Sequence, residues 1–333
     1  MTTVAVRRST PASRLGGLGL AAVVVVLAAL PYLVVPSELF RLVDLWIYIV
    51  IGTMWNLLAG YAGMVSVGQQ AYIGIGAYGL VYLADQVGLD PFLAIPVVAV
   101  LAGAIAIPIS YLAFRLVGGY FAIGTWVIAE VARLLTVQVD TLGGGSGLSL
   151  RALAGTDRAL RIAYTYWFAL GTAVAVVLAA YLLMRSRLGI ALTAVRDEPV
   201  AAASAGVDVT RAKRIVFTIS AAGCGAAGAV IALASLRVQP ESVFSVQWSA
   251  FMIFIVVIGG VGTIEGPILG AVVFFVLQEW LASYGPLYLI ILGAVAVVLT
   301  VAAPRGLWGL LSRGGRVQLF AVGYRLRLPT ADR

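Results

Sequence analysis

The sequence predicts an all-α polytopic membrane protein with about ten transmembrane helices, two interrupted Gly-rich segments and a weak internal repeat. Of the 333 residues, 62% are hydrophobic and only 11% are charged, and the mean hydropathy is +1.05. A soluble domain carries about 25% charged residues, so this chain has too few charges to cover a soluble surface. The apolar runs are continuous rather than alternating, which favours helices over a β-barrel as the spanning structure.

Uncharged runs long enough to cross a bilayer recur along the whole chain. A hydrocarbon core of about 30 Å requires about 20 apolar residues per helix. The predicted spans cover about residues 15–35, 42–59, 66–84, 91–113, 119–136, 164–184, 215–236, 246–260, 266–281 and 286–303. They define a transmembrane permease domain, 15–304, between an N-terminal tail, 1–14, and a basic C-terminal tail, 305–333.

The distribution of basic residues predicts the orientation, because cytoplasmic segments are enriched in Arg and Lys. Ten spans place both termini on one side. With both termini cytoplasmic, sixteen of the 22 basic residues lie inside and five outside, and Arg133 lies within a span. The longest outside loop is then 137–163 and the longest inside loop is 185–214. The formal charge of +8 is explained by this topology, and no nucleic-acid partner is predicted.

The inside loop carries helix signals of its own. Apolar residues Leu188, Leu192 and Val195 share one helix face, and Asp197 and Glu198 precede a proline that starts a second helix. Two short helices are predicted, and they either dock a partner or rest on lipid headgroups. The predicted docking residues are Leu188, Leu192, Val195, Arg196, Asp197, Glu198 and Gly206, the last as a helix stop.

Absent residue types limit the chemistry. The chain has no His and a single Cys, Cys224, which excludes His-based catalysis, His metal sites and internal disulfides. Its single Lys, Lys213, lies outside any Gly-Lys-Ser/Thr motif, so no standard ATP site is present. The Gly-x-Gly-x-x-Gly run at 74–79 lies inside a membrane segment, where close helix packing explains it better than dinucleotide binding. We therefore predict a protein that is not an enzyme, with no catalytic residue, metal or cofactor.

Two hydrophobic segments are interrupted, at 60–79 and at 259–270, in corresponding halves of the chain. Such paired breaks indicate a transport pathway. Backbone N–H and C=O groups outside a helix are tolerated at membrane depth only where they face protein or a water-filled cavity. Two alternatives remain. The glycines can serve helix packing without a role in a pathway, and the polar side chains can serve only as hydrogen-bond partners of the interrupted backbone. Glu130 can also form a neutralised pair with Arg133. The candidate pathway residues are Ser66, Gln69, Gln70, Tyr72, Glu130, Gly262, Thr263 and Glu265.

Four ordered motifs, together covering about residues 45–305, resemble branched-chain amino acid ABC permeases of the LivM type. They are Gly60-Tyr61-Ala62-Gly63 continuing through Gly68–Tyr78, Gly119-Tyr120-Phe121-Ala122-Ile123 with Glu130, Arg187–Asp208 in the inside loop, and Gly259–Pro267 with Gly270. Through the second motif, Tyr120 joins the candidate pathway residues. The run Gly143–Gly147 lacks the Asn or Asp common in the family, and Pro199 replaces an aliphatic residue.

The resemblance implies a permease subunit of a prokaryotic ABC importer. It implies branched-chain or other apolar amino acids as solutes, moved by alternating access that separate ATPase subunits drive. Its partners would be a second homologous permease, two ATP-binding cassette subunits, an extracytoplasmic solute-binding protein and membrane lipid. The location would be the plasma (inner) membrane. A urea or short-amide permease of the same family, and a self-sufficient small-solute channel, are the alternatives.

Overall fold

The computed structural model describes residues 5–7, 11–281, 285, 287–303, 305–312, 319–320 and 325–327. Over these residues nearly all regular structure is helical, which confirms the predicted all-α class. The helices are α1 (Pro11–Ala29), α2 (Pro36–Asn56), α3 (Gln70–Asp85), α4 (Pro91–Ala113), α5 (Gly119–Gln138), α6 (Arg158–Arg185), α7 (Arg187–Asp197), α8 (Pro199–Ser204), α9 (Val209–Ser235), α10 (Pro240–Val243), α11 (Gln247–Gly259), α12 (Glu265–Leu281), α13 (Leu287–Ala302) and α14 (Gly306–Leu311).

Six helical segments of the described chain are long and apolar enough to cross a membrane, judged by length and composition. They are Pro36–Tyr61, Pro91–Ala113, Gly119–Gln138, Arg158–Arg185, Val209–Ser235 and Pro240–Gly259. The other four predicted spans correspond to α1, α3, α12 and α13, which are not among these six segments of the described chain. The chain is therefore a multi-pass membrane protein, and the count of ten spans stays a prediction.

Aspartate side chains determine where two of the long helices begin. A carboxylate oxygen of Asp90 accepts from two backbone N–H groups of α4, at 2.9 and 3.2 Å. Asp157 accepts from two N–H groups of α6, at 2.9 and 3.1 Å. These are the orphan donors of a helix N-terminus, which a capping Asp satisfies. Because of this cap, α6 begins at Arg158, six residues before the predicted span 164–184.

The inside loop contains the two short helices that the sequence predicts, α7 and α8. The hydroxyl of Ser186 accepts from the N–H of Leu188 at 3.2 Å and caps α7. Gly206, with φ of +86°, ends α8 in the left-handed conformation. Its N–H and that of the next residue donate back to α8 carbonyls at 2.9 and 3.0 Å, which is the Schellman geometry. Gly206 is thus the predicted helix stop.

Helix α9 lies at the centre of the bundle and packs against α2, α3 and α4. It touches α3 backbone to backbone. A Cβ on Gly76 would lie 2.0 Å from the carbonyl oxygen of Gly225, and one on Gly228 would lie 1.9 Å from that of Ile73. No side chain fits at either position, so the glycine run at 74–79 serves helix packing, as the sequence analysis predicts.

Short strands join distant parts of the chain. β1 (Ala5–Arg7) pairs antiparallel with β4 (Arg325–Arg327), which brings the two chain ends together. β2 (Leu148–Ser149) pairs with β3 (Arg237–Val238). Because α6 separates β2 from α7, these two elements mark opposite ends of the bundle. Following the charge-based orientation, the end with β2 and β3 is called the outer end, and the end with α7 and α8 the cytoplasmic end.

Candidate functional site

The first break follows a π-helical turn, Leu57–Tyr61, that extends α2. Backbone outside a helix needs new hydrogen-bond partners, and side chains supply them here. The indole N–H of Trp55 donates to the carbonyl of Ser66 at 2.8 Å, and the N–H of Val67 donates to Thr125 Oγ1 at 3.1 Å. The chain then enters α3. The break is therefore an ordered segment held by its surroundings.

The second break, residues 260–264, separates α11 from α12. Thr263 Oγ1 donates to the carbonyl of Gly260 at 3.0 Å and accepts from the N–H of Gly266 at 3.0 Å. Gly260 and Gly262 have φ of +130° and +75°, conformations that side chains with a Cβ disfavour. The predicted start of a helix near Pro267 is correct, because α12 begins at Glu265.

The two breaks meet, and the side chain of Asn56 joins them. Its Nδ2 donates to the carbonyl of Thr263 at 2.8 Å, and its Oδ1 accepts from the N–H of Gly262 at 2.8 Å. Asn56 itself is buried, whereas Gly262 and Thr263 are partly exposed. The sequence analysis missed this residue. The available signal was the single asparagine of the sequence, which lies in the uncharged run 45–84, a turn before Gly60.

Arg196 of α7 reaches the same place. Its Nη1 donates to the carbonyl of Gly60 at 2.9 Å. The backbones of Gly60 and Gly262 are so close that a Cβ on Gly60 would lie 2.6 Å from the nitrogen of Gly262. We call Asn56, Gly60, Arg196, Gly262 and Thr263 the break junction. It links both interrupted segments to α7.

Three predicted pathway residues form a buried polar cluster beside the first break. Gln69 Nε2 donates to Ser66 Oγ at 3.3 Å, and Ser220 Oγ contacts Gln69 Oε1 at 3.4 Å. The hydroxyl of Ser249 donates to Gln70 Oε1. These groups satisfy each other and tie α3 to α9 and α11. Tyr72, also buried, packs edge-on against Phe217 with ring centroids 5.8 Å apart.

The other predicted residues lie elsewhere, so the structure does not bring the nine together. Tyr120 is 74% exposed on α5. Glu130, on the same helix, accepts from Arg133 Nε at 3.0 and 3.1 Å, which confirms the predicted pair. Glu265, which has no local partner in sequence, accepts from the backbone N–H groups of Leu319 and Phe320 at 3.0 and 2.9 Å.

The apolar face of α7 requires a correction. Leu192 and Val195 are 0% and 1% exposed and pack inside this chain, so they cannot form a docking surface for another protein. The spacing correctly identified an apolar face, but the covering surface is the permease core itself. Leu188 is half-buried. Asp197, Glu198 and Gly206 are exposed, and Arg196 is partly exposed and also contacts Asp197 at 2.8 Å.

Comparison with known proteins gives one consistent result. A family model described as branched-chain amino acid transport system / permease component matches residues 39–301. The chain is 30% identical over 314 residues to the high-affinity branched-chain amino acid transport system permease protein LivM of Salmonella typhimurium, covering 86% of this chain and 74% of the relative. The LivM protein of Escherichia coli matches with the same identity and coverage. A probable branched-chain amino acid transport permease protein LivH of Methanocaldococcus jannaschii is 27% identical over 263 residues, covering 72% of this chain and 82% of the relative. No solved structure matches the chain significantly.

Proposed function

Because the chain belongs to the family of branched-chain amino acid transport permease components, we propose that it is the membrane-spanning subunit of an ABC importer. Its solutes are branched-chain or other apolar amino acids, in line with the names of its relatives. Separate ATPase subunits drive transport by alternating access. The observation that carries the mechanism is the hydrogen bond from Arg196 to the carbonyl of Gly60.

The break junction couples the two breaks to movement of α7. A helix interior holds itself together by its own backbone bonds, whereas the two breaks are held by bonds from Asn56 and Arg196. Leu192 and Val195 anchor α7 in the core, so α7 and the junction move together. A displacement of α7 therefore acts on both breaks at once, and through them on the helix pairs α2–α3 and α11–α12.

The exposed side of α7 and α8 is the proposed ATPase-docking surface. Ile190 is half-exposed and Val200 is 73% exposed, although both lie at the cytoplasmic end. Asp197 and Glu198 add negative charge beside them. Apolar groups rimmed by charge are typical of protein interfaces. This surface replaces the face of Leu192 and Val195 as the contact with the ATPase.

A second permease is proposed to cover the exposed face of α5. Large side chains at helical spacing form one stripe there, comprising Tyr120, Ile123, Val127, Val131 and Leu134. Glu130 lies on the same helix with Arg133, and a charged pair is costly against lipid. A homologous permease provides protein or a wet pathway against these charges. This arrangement places Tyr120 and Glu130 beside the contact between the two permeases.

The proposed membrane arrangement has ten crossings with both termini cytoplasmic. Sixteen inside against five outside basic residues favour it, and so does the pairing of β1 with β4. The outer end, with β2 and β3, then faces the solute-binding protein, and α14 faces the cytoplasm. Substrate selection rests largely with the binding protein.

The test compares two arginines at the cytoplasmic end in the full complex reconstituted in proteoliposomes. Arg196→Ala removes a charge-assisted hydrogen bond worth about 1.5–3 kcal/mol, and we expect leucine uptake to fall at least about tenfold. Because Arg196 Nη1 binds the carbonyl of Gly60 within this chain, co-purification of the ATPase should persist. Arg211→Ala removes an exposed arginine outside the break junction and should transport normally.

Three results would overturn the proposal. If the Arg196→Ala variant takes up leucine at the wild-type rate, the coupling role of the break junction is refuted. Accumulation of urea or acetamide by the wild-type complex, with none of leucine, isoleucine or valine, would refute the solute class. Uptake without any ATPase subunit would instead indicate a channel.

A further inference from the structure

A small cavity of about 260 Å³ lies at the outer end, between α2, α10, α11 and α12. Pockets for drug-sized ligands measure about 300–1,000 Å³, so this volume suits a smaller solute such as an amino acid. The cavity is lined by three aromatic side chains, several neutral polar side chains and a single charged residue, Glu241.

The aromatic side of the cavity is rigid. Tyr48 and Trp248 each pack edge-on against Phe251, with ring centroids 6.0 and 5.9 Å apart. The hydroxyl of Tyr48 donates to Gln278 Oε1 at 2.5 Å, and the indole N–H of Trp248 donates to the carbonyl of Ser242 at 3.0 Å. Tyr48 and Phe251 are 4% and 5% exposed, so the partly exposed ring of Trp248, held by these contacts, supplies the preformed apolar surface for an aliphatic side chain.

The polar side of the cavity combines hydrogen-bond donors with an acidic group. The hydroxyls of Ser242 and Ser245 and the amide of Gln278 line it. Hydroxyl and amide groups donate to carboxylates. They therefore complement the carboxylate end of an amino acid.

Glu241 supplies the acidic group. Its carboxylate is 76% exposed and contacts the guanidinium of Arg133, whose side chain is 19% exposed. Arg133 also binds Glu130, so one guanidinium serves two carboxylates and the group carries an excess negative charge. An ammonium group is the natural complement of this excess.

We propose that this cavity is a receiving site for the zwitterion of an apolar α-amino acid at the outer end of the permease. Glu241 binds the ammonium group, the Ser242, Ser245 and Gln278 side chains bind the carboxylate, and the aliphatic side chain lies on the ring of Trp248. The inference rests on the proposed function, because it supplies a site in this chain for the solute class that the importer carries.

The test measures binding to the purified permease assembly in lipid nanodiscs, without the solute-binding protein, by saturation-transfer difference NMR. The probes are L-leucine, 4-methylpentanoate, which lacks the ammonium group, and 3-methylbutylamine, which lacks the carboxylate. We expect leucine to give a signal and each analogue to give one at least about fivefold smaller, since each loses a charge-assisted hydrogen bond.

Matched variants then identify the cavity. Glu241→Gln should weaken leucine binding about tenfold, because a charged acceptor becomes a neutral amide. Glu38→Gln changes another exposed outer carboxylate, paired with Arg41 at 3.6 Å, and should bind leucine normally. Melting curves establish that both variants are folded, which the exposure of both side chains predicts.

Equal signals from the three probes, or normal binding by Glu241→Gln, would overturn the inference and leave the Glu130–Arg133–Glu241 group as a tie between α5 and α10. The proposed function is judged separately, by leucine uptake in the complete complex. Uptake without binding at the cavity contradicts only the inference. A complex that transports no branched-chain amino acid contradicts the function itself.

Discussion

Replacing Gly60 by alanine should force the two breaks apart. The added Cβ would lie 2.2 Å from Asn56 Oδ1, 2.6 Å from the nitrogen of Gly262 and 2.9 Å from its Cα. Two of these atoms are backbone, so a rotamer change cannot relieve the overlap. Overpacking costs about 1–3 kcal/mol, and displacing Asn56 from the Gly262 N–H adds about 1–3 kcal/mol for an unpaired buried donor. We therefore expect the free energy of unfolding to fall by roughly 2–6 kcal/mol.

Two other glycines separate this steric effect from general sensitivity to alanine. Gly63 has φ of +67°, and its Cβ would meet nothing closer than 3.4 Å. Gly63→Ala should therefore cost only the left-handed strain of about 1–2 kcal/mol. Gly171, in α6, has no atom within 4 Å of its Cβ position, so alanine there should be neutral or stabilise by up to about 1 kcal/mol.

The assay records the melting temperature of the purified complex together with leucine-stimulated ATP hydrolysis. The expected order of both, from lowest to highest, is Gly60→Ala, Gly63→Ala and Gly171→Ala. If Gly60→Ala has the same melting temperature and rate of ATP hydrolysis as Gly171→Ala, the two breaks are not in contact. The proposed role of the break junction is then refuted.

Two further predictions concern the junction and the orientation. Asn56→Leu leaves two backbone groups of the second break unpaired and should cost about 2–6 kcal/mol in thermal unfolding, whereas Thr53→Val removes a buried hydroxyl that has no partner in the described structure and should be nearly neutral. Similar melting of both variants would contradict the bridging role. In a Cys224→Ser background, an impermeant thiol reagent applied to intact cells should label a cysteine at Ser146 and spare one at Ser204. The reverse pattern would overturn the orientation.

Local signals in the sequence determined much of this protein. Composition alone required a membrane protein, and continuous apolar runs predicted the helices. Glycine and proline indicated that both breaks exist, because backbone that leaves a helix needs residues that tolerate unusual dihedral angles, although residues 70–79 and 265–270 of the predicted segments are helical. The spacing of apolar residues in the inside loop predicted α7, and Gly206 predicted the end of α8.

Only the tertiary structure decided what these elements touch. Periodicity showed that α7 has an apolar face, but burial of Leu192 and Val195 showed that the permease core covers it. Asn56 joins residues more than two hundred positions away, and Glu265 is satisfied by backbone N–H groups of the C-terminal tail. Freed backbone groups take whichever donors and acceptors the folded chain brings near them, and that choice is not encoded in local spacing. The sequence therefore determined that two breaks exist, whereas packing determined that they meet at one arginine of α7.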